Sequence, residues 1–304
     1  MKPSIKIAVV GDIHDQWQEV DNRALVSLGV DLALFVGDFG NESVPIVRLV
    51  AAAPVPKAVI LGNHDAWYTA SSWGQKKCPY DRTKEDRVED QLKLLGEAHV
   101  GYGKLDFPHL GLSVVGSRPF TWGGAEWKNR EFYQQRYQVG NFQESAEKIL
   151  QQVRDTAHDT LIFLGHNGPW GLGSAASDIC GKDWQPPGGD HGDKDFHDAI
   201  QGARRLGKGI PLVAFGHMHH RLRHTQSRFR TGMVRTNDTL YLNGAIVPRI
   251  REEGGRKWHY FCLVALESGE VSGVTSLWVR DDLEVTKKAQ LVSGDGDEQL
   301  CLIK

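Results

Sequence analysis

Five apolar stretches of this sequence end in glycine and are followed at once by side chains that bind metal ions. The stretches are AVVGDIH, LFVGDFG, VILGNHD, IFLGHNG and VAFGHMHH, and their candidate ligands are Asp12, His14, Asp38, Asn63, His166, His217 and His219. These two carboxylates, one amide and four imidazoles are too many for one tetrahedral site, but they suit two ions that share a carboxylate. The set therefore predicts a dinuclear metal centre.

The types of donor also narrow the metal and its chemistry. Nitrogen and oxygen ligands without thiolate favour transition metals over calcium, and we expect manganese, with iron or zinc as alternatives. Two such ions clamp phosphoryl oxygens and lower the pKa of a bound water to about 7. Hydroxide would then be present at neutral pH for attack on phosphorus, so the expected substrate is a phosphate ester.

Strands and helices alternate in the first half of the chain, and this order would bring the five stretches together. Strands are predicted at 5–10, 31–36 and 55–61, and helices at 18–29, 42–53 and 83–96, the last with Thr83 as its N-cap. Strands that are apolar throughout indicate a largely parallel sheet that is covered on both faces. The carboxyl ends of parallel strands form one rim, so we expect the ligands to meet there.

The rest of the chain continues this pattern and then becomes rich in strands. Further strands are predicted at 111–117, 159–165, 211–216, 239–247, 257–268 and 270–280, and helices at 142–155 and 194–207. We therefore predict an α/β front half with a β-rich C-terminal part, as a single domain over 1–285. Residues 286–304 are predicted to form a peripheral tail, either a short helix or a loose segment. Segments 66–82 and 168–193 fit no regular element, and loops of such length are usually functional or disordered.

Length and charge exclude some classes of partner. The chain has 304 residues, a formal net charge of -2 and a pI of about 6.7, so it has no overall electrostatic footprint for nucleic acid or anionic membrane. Its N-terminal apolar run is short and is interrupted by Lys6, unlike a signal peptide or a membrane span. We therefore expect a soluble cytoplasmic protein with a small substrate and no membrane partner. The oligomeric state stays open.

The five stretches, in this order, resemble the signature of the calcineurin-like metallophosphoesterase superfamily. That signature is Asp-x-His, Gly-Asp, Gly-Asn-His-Asp/Glu, a lone His and Gly-His-x-His, and the resemblance covers residues 11–219. It implies a sandwich of two mixed β-sheets flanked by helices, with the β-rich C-terminal part in the second sheet. It also implies single-step hydrolysis of a small phosphate mono- or diester by a metal-bridging hydroxide.

The resemblance implies a role for each matching residue. The first ion would be held by Asp12, His14 and His219, and the second by Asn63, His166 and His217, with Asp38 as the bridge. His64 would protonate the leaving oxygen as general acid, and Asp65 would orient the imidazole of His64.

Departures from the signature favour some branches over others. The protein Ser/Thr phosphatase branch has Gly-Asp-x-x-Asp-Arg-Gly and an Arg before Gly-Asn-His, whereas this chain has GDFGNES at 37–43 and Leu61 before Gly62. The GNHDAWY and GHNGP variants resemble a cyanobacterial or plastid-type branch. The alternative activity is that of a cyclic-nucleotide phosphodiesterase or a nuclease. The alternative of another class is a non-catalytic metal-binding scaffold, which should have lost ligands that are all present here.

Candidate substrate contacts lie beyond the metal ligands. Arg118 is a candidate for bidentate binding of a substrate anion. Trp67, Tyr68 and Trp170 follow metal-binding stretches, so they are candidates to wall a pocket for the rest of the ester.

Three other polar residues have simpler interpretations. Asp15 and His220 adjoin ligands in sequence, and we expect both to lie near the site without acting in it. Asp193 is interpreted as the N-cap of the helix that follows it.

Overall fold

Two mixed β-sheets flanked by helices form the fold, which a computed structural model describes for residues 4–186, 188–223 and 228–291. The strands are β1 (Ile5–Val10), β2 (Leu32–Phe35), β3 (Lys57–Val59), β4 (Lys104–Phe107), β5 (Leu112–Gly116), β6 (Thr160–Leu164), β7 (Gly209–Phe215), β8 (Met233–Thr236), β9 (Thr239–Asn243), β10 (Ile250–Glu253), β11 (Arg256–Glu267), β12 (Glu270–Arg280) and β13 (Val285–Leu291). The helices are α1 (Glu19–Ser27), α2 (Val44–Ala51), α3 (Ser72–Lys77), α4 (Arg87–Leu95), α5 (Arg130–Tyr137), α6 (Phe142–Arg154) and α7 (Lys194–Arg205), with short 3₁₀ helices at Asn63–Ala66 and Gly96–Ala98.

The strands that precede the ligand-bearing stretches are divided between the two sheets. The first sheet has the order β13-β12-β11-β1-β2-β3, with β10 also paired to β11, and the second has the order β4-β5-β6-β7-β9-β8. Three of the stretches follow β1, β2 and β3, and the other two follow β6 and β7. The ligand-bearing rim is thus built from two sheets, not from the one parallel sheet that the alternation of elements indicates. The predicted α/β fold of two mixed sheets with flanking helices is confirmed.

Alternate residues of the central strands pack on opposite faces, which explains why these strands are apolar throughout. In β1, Ile7 and Val9 belong to the apolar layer between the sheets, together with Ile162 of β6. Ala8 and Val10 instead belong to the layer that lies under the helices. A strand whose two faces are both covered gains nothing from a polar residue on either face.

The helices follow the amphipathic segments, with one start displaced. The predicted N-cap Thr83 lies outside α4, because its backbone and hydroxyl both donate to the Asp81 side chain in a local turn. Asp86 caps the helix instead, since its carboxylate accepts the backbone N–H of Glu89 at 2.9 Å. In the part of the chain that the structure describes, no helix has the length and apolar character that crossing a membrane requires.

The C-terminal strands differ in two ways from the sequence prediction. They are divided between the two sheets and do not all lie in the second one. β8 and β9 extend the second sheet, whereas β10 to β13 extend the first. Residues 286–291, predicted to begin a tail, lie in β13, which pairs antiparallel with β12. The backbone of a polar segment can still complete a sheet edge because the ladder needs only its N–H and C=O groups. Residues 292–304 of the predicted tail lie outside the described residues, and the domain boundary at 285 stays a prediction.

The segment 66–82 is held on the site by a buried glutamate. Glu42 is fully buried, accepts the backbone N–H of Tyr68 at 2.8 Å and also accepts the Tyr80 hydroxyl. Burial raises the pKa of Glu42, although these hydrogen bonds oppose the rise. The contacts fix both ends of this segment, which contains α3 and Trp67.

Candidate metal centre

The turns after the five strands bring the predicted ligands to one place. The donor atoms of Asp12, His14 and His219 lie within 4.8 Å of one another, and so do those of Asp38, His166 and His217. A third group, His14, Asp38 and His64, connects these two. Asn63 adds an amide oxygen 2.9 Å from His166 Nε2. All seven predicted ligands therefore meet at the rim.

The spacing of the imidazole nitrogens fits the binding of two ions. His14 Nε2 lies 3.1 Å from His219 Nε2, and His166 Nε2 lies 3.2 Å from His217 Nδ1. Two nitrogens bound to one ion at 2.0–2.1 Å would be about 2.8–3.4 Å apart at octahedral or tetrahedral angles. Each imidazole pair is thus already spaced as neighbouring ligands of one ion.

Asp38 lies between the two imidazole pairs. Its Oδ1 is 3.3 Å from His166 Nε2, and its Oδ2 is 4.0 Å from His14 Nε2. One carboxylate thereby faces both groups, as a residue that bridges two ions must.

Unusual backbone conformations aim several of these side chains. Asp12, His14, Asp38 and His217 have φ values of 49°, 43°, 55° and 66°, in the left-handed region that residues other than glycine seldom adopt. Each such backbone conformation lowers the stability of the fold by about 1 kcal/mol. The inward orientation of these donors is therefore accompanied by backbone strain.

Glycine is required where the turns approach one another. A Cβ on Gly62 would lie 2.4 Å from Asp38 Oδ1 and 2.5 Å from His166 Cε1. Any side chain at this position would displace the ligands, which explains the glycine before Asn63 in VILGNHD.

Burial and neighbouring groups set the protonation of the ligands. His166 Nδ1 lies 2.7 Å from the carbonyl oxygen of Val36 and donates to it, which leaves the Nε2 lone pair facing the centre. Burial, together with the neighbouring His166, holds the pKa of His217 well below its usual value. Burial would raise the pKa of Asp12, but the hydrogen bond and charge of His219 outweigh it and lower that pKa. These effects favour a neutral His217 and an ionised Asp12, the forms in which imidazole and carboxylate bind metals.

The Asp65 side chain contacts backbone and not the ring of His64. Its carboxylate accepts the backbone N–H groups of Asp38 and Phe39 at 2.9 Å and that of Gly62 at 2.7 Å. The short 3₁₀ helix that starts at Asn63 turns Asp65 back toward these N–H groups. The prediction that Asp65 orients His64 is therefore wrong, and Asp65 instead joins two ligand-bearing turns.

Asn41 and Trp67 position His64. The Asn41 Oδ1 atom lies 2.6 Å from His64 Nδ1, and the ring of Trp67 stacks on the imidazole with centroids 4.4 Å apart. On the other side, His64 Nε2 lies 3.9 Å from Asp38 Oδ2. Burial lowers the pKa of His64, although the charge of Asp38 opposes this effect.

Comparison with known proteins agrees with this geometry. The sequence model of the calcineurin-like phosphoesterase family matches residues 5–221. The chain belongs to this family. It is accordingly a metal-dependent hydrolase of phosphate esters, whose His and Asp groups fit divalent metal ions. None of the curated proteins matches the chain at a significant level.

Several solved structures resemble the chain at low sequence identity. One crystal structure superposes with a TM-score of 0.52 at 12% identity, over 95% of this chain and 99% of the other. A protein from Thermus thermophilus has a TM-score of 0.49 at 11% identity, over 89% and 98% of the two chains. A dimetal phosphatase from Danio rerio has a TM-score of 0.45 at 10% identity, over 95% and 98%.

A cavity of about 700 Å³ opens beside the ligands of this calcineurin-like phosphoesterase. Asp38, Asn63, His64, His217 and His219 line its inner end. The predicted wall residue Trp67 lines it as well, whereas Tyr68 and Trp170 are not among the described residues that do so. Tyr68 instead packs against Tyr80, and the ring of Trp170 lies under Lys194.

Arg118 is a buried structural residue, so the prediction that it binds substrate is wrong. It is 2% exposed, and its guanidinium donates to Asp195 Oδ2 at 2.8 Å and to Asp193 Oδ1 at 2.6 Å. Two carboxylates already saturate this cation and hold it away from the cavity. Asp193 lies at the N-cap position of α7, but its side chain accepts from Arg118 and Thr121 rather than from the helix.

Asp15 and His220 lie outside the three donor groups, and the expectation that neither acts in the site stays a prediction. Asp15 is exposed, whereas the buried His220 accepts the backbone N–H of Val247 through Nδ1 at 3.2 Å and stacks on Phe229.

Several residues of the site carry no signal in the sequence. Asn41 is an ordinary turn residue in GDFGNES, and Trp122, Trp184 and His191 lie in long segments without periodicity. His191 stacks on His217 with ring centroids 6.0 Å apart, and its Nε2–H donates to the carbonyl oxygen of Trp122 at 2.9 Å. Burial lowers the pKa of His191 to about 4. The aromatic content of the unassigned segment 168–193, which contains Trp184 and His191, is the one hint that the sequence offers.

Proposed function

We propose that this calcineurin-like phosphoesterase hydrolyses small phosphate mono- or diesters with two divalent metal ions. Asp12, His14 and His219 would hold one ion, and Asn63, His166 and His217 the other, with Asp38 between them. The observation that carries the proposal is the pair of imidazole contacts, at 3.1 and 3.2 Å, on either side of one carboxylate.

Bound ions and the side chain of His64 would have different roles in the hydrolysis. Ions bound here would supply Lewis acidity, which neutralises phosphate charge and makes water more acidic. His64 would give its Nε2 proton to the leaving oxygen while Asn41 holds Nδ1 at 2.6 Å. A pKa lowered by burial favours this release, because the buried imidazolium is less stable than an exposed one. The choice of manganese, the cytoplasmic location and the oligomeric state stay predictions.

The first test measures metal content and activity together. Protein produced with added manganese should hold close to two transition-metal ions per chain and hydrolyse members of a panel of phosphomonoesters, phosphodiesters and cyclic nucleotides. Asp38→Asn should lower both metal retention and kcat/KM, the latter by at least about a hundredfold, since it removes the charge that both ions share. Metal analysis and initial rates give these two values.

Asp15→Asn is the matched control for this test. It makes the same chemical change at an exposed aspartate beside the site, and asparagine tolerates the left-handed φ of 63° found there. Asp15→Asn should keep metal and activity. Chains that hold no metal, or an Asp38→Asn variant with full activity, would remove the dinuclear assignment.

A further inference from the structure

Two rows of aromatic rings extend from the ligands along the cavity. The first ring row is His64, Trp67 and Trp122, with stacked centroids 4.4 and 5.0 Å apart. The second ring row is His217, His191 and Trp184, with centroids 6.0 and 4.7 Å apart. Both rows line the same cavity, so a group attached to a phosphate at the metal centre would lie beside apolar ring surface.

Positively charged side chains line the outer part of this cavity. Lys128, Lys182 and Arg223 line it, and the guanidinium of Arg223 lies 5.6 Å over the ring of Trp184 at the end of the second ring row. Across residues 4–186, 188–223 and 228–291, no carboxylate oxygen lies within 4.0 Å of the charged nitrogens of these three side chains. Their charges are therefore available to a ligand.

Two of the nearby carboxylates already have partners within the protein. Asp183 pairs with Arg230 at 3.3 Å and accepts the backbone N–H of Arg223. Asp190 accepts the backbone N–H groups of Gly171 and Gly192. With the exposed Glu126 and the inner Asp38 included, four carboxylates line the cavity, whereas its lining has five lysine and arginine side chains. Positive charge therefore exceeds negative charge among the described residues of the lining.

We propose that the substrate is a phosphate ester whose alcohol part contains a planar ring and carries a second anionic group. The ring would lie between the two ring rows, and the second anion would bind Lys128, Lys182 and Arg223. The inference rests on the proposed function, because it places the reacting phosphate at the metal centre. A cavity of about 700 Å³ suits such a ligand better than a small alkyl phosphate. A nucleotide with two phosphates and a phosphorylated aromatic acid share this chemistry.

A binding experiment on metal-stripped protein tests the outer part of the cavity by itself. Quenching of tryptophan fluorescence would give the Kd of AMP, which has a ring and an anion, of adenosine, which has the ring alone, and of ribose 5-phosphate, which has the anion alone. AMP should bind at least about five-fold more tightly than either, since a partly exposed ion pair contributes up to about 1 kcal/mol.

Two charge-removing variants and a matched control test whether Lys182 and Arg223 cause the preference for AMP over adenosine. Lys182→Gln and Arg223→Gln should each remove most of the difference between AMP and adenosine. Lys93→Gln, on the exposed face of α4 beside Glu89, makes the same lysine-to-glutamine change away from the cavity and should keep the difference. Equal Kd values for the three ligands, or variants at 182 and 223 that bind AMP as tightly as the original chain, would overturn the inference.

Kinetics with manganese separate this inference from the proposed function. The kcat/KM ratio of adenosine 3′,5′-bisphosphate to AMP should be at least about five and should fall toward one in both variants. A preference for 4-carboxyphenyl phosphate over phenyl phosphate would indicate a phosphorylated aromatic acid instead of a nucleotide. If no ester is hydrolysed, the proposed function fails. If all esters are hydrolysed at equal rates, only the further inference fails.

Discussion

At the scale of single residues, the site depends on how His64 is held. Three neighbours surround it: Asn41 at Nδ1, Trp67 on one ring face and Asp38 near Nε2. Asp65, the adjacent carboxylate, instead fixes the backbone of two ligand-bearing turns. A charged partner would raise the pKa of His64, whereas the neutral amide of Asn41 orients the ring without adding charge.

The role of His64 can be tested through the leaving group. In His64→Ala, hydrolysis of an alkyl phosphate should fall by about 10²- to 10⁴-fold, because the alkoxide then leaves without a proton. An activated aryl phosphate should lose much less, since its leaving group needs no acid. Steady-state rates on both esters, with metal content as the control, give the answer, and equal losses would contradict the general-acid role.

Asn41 gives a second variant for the same test. Asn41→Leu should weaken alkyl phosphate hydrolysis in the same direction but by less, about 10- to 100-fold, because the imidazole stays in place without its Nδ1 partner. Asn41→Asp should keep the contact and move the pH–rate profile toward higher pH, since the carboxylate raises the pKa of His64.

At the scale of elements, a buried ion pair joins the front and back of the chain. Asp21 of α1 accepts from Arg249 Nη2 and from His259 Nδ1 of β11, each at 2.9 Å, and all three side chains are at most 2% exposed. Burial would raise the pKa of Asp21, but the charge of Arg249 and the bond from His259 outweigh it and lower that pKa. The group thus couples α1 to the C-terminal strands.

Breaking this pair should destabilise the protein in a pH-dependent way. Asp21→Asn leaves Arg249 buried without a counter-charge, and we expect a loss of about 3–5 kcal/mol in the free energy of unfolding at pH 7. Because the folded-state pKa of Asp21 lies below its unfolded value of about 3.9, its contribution is complete above that pH. The contribution is lost as the pH falls through the folded-state pKa.

Denaturant unfolding across pH checks this expectation. The difference between the original chain and Asp21→Asn should narrow as the pH falls below about 4. Asp282→Asn, in an exposed ion pair with Arg280, serves as the control and should change stability little. A constant difference down to the lowest pH measured would mean that the loss does not come from the charge of Asp21.

The elements also show what the sequence can and cannot predict. The boundaries of β1 were predicted correctly, and α6 and α7 begin at the predicted residues, because long periodic or fully apolar runs leave few alternatives. The short α3, α5, β4, β8 and β10 do not follow from the sequence, since four to eight residues of mixed polarity carry no clear period. The convergence of the ligands followed from spacing along the chain. Asn41, His191 and the burial of Arg118 depend on contacts between distant segments, which spacing does not reveal.

At the scale of the whole molecule, the C-terminal strands complete both sheets. The family match ends at residue 221, yet β1 pairs antiparallel with β11, with Ile5 opposite Leu266, and β7 pairs with β9. Val264, Leu266 and Val274 also belong to the apolar layer between the sheets. The ligand-bearing strands therefore depend on residues that carry no ligand.

Truncation tests this dependence. A fragment of residues 1–248 should show no cooperative thermal transition by circular dichroism, because β1 has lost a partner and the layer between the sheets has lost part of its apolar side chains. A chain of residues 1–291, which keeps every described strand, is the control and should unfold cooperatively. A cooperative transition in the shorter fragment would show that the front half folds alone.

The pairing of β1 with β11 also has a consequence for synthesis. All seven candidate ligands have been translated once residue 219 is added, but β11 begins only at Arg256, about 250 residues after β1. At 5–20 residues per second, β1 waits roughly ten to fifty seconds on the ribosome for its second neighbour. During that time it has an open edge that can pair with another nascent chain. We therefore expect the fragment of residues 1–248 to reproduce the state that most needs a chaperone in the cell.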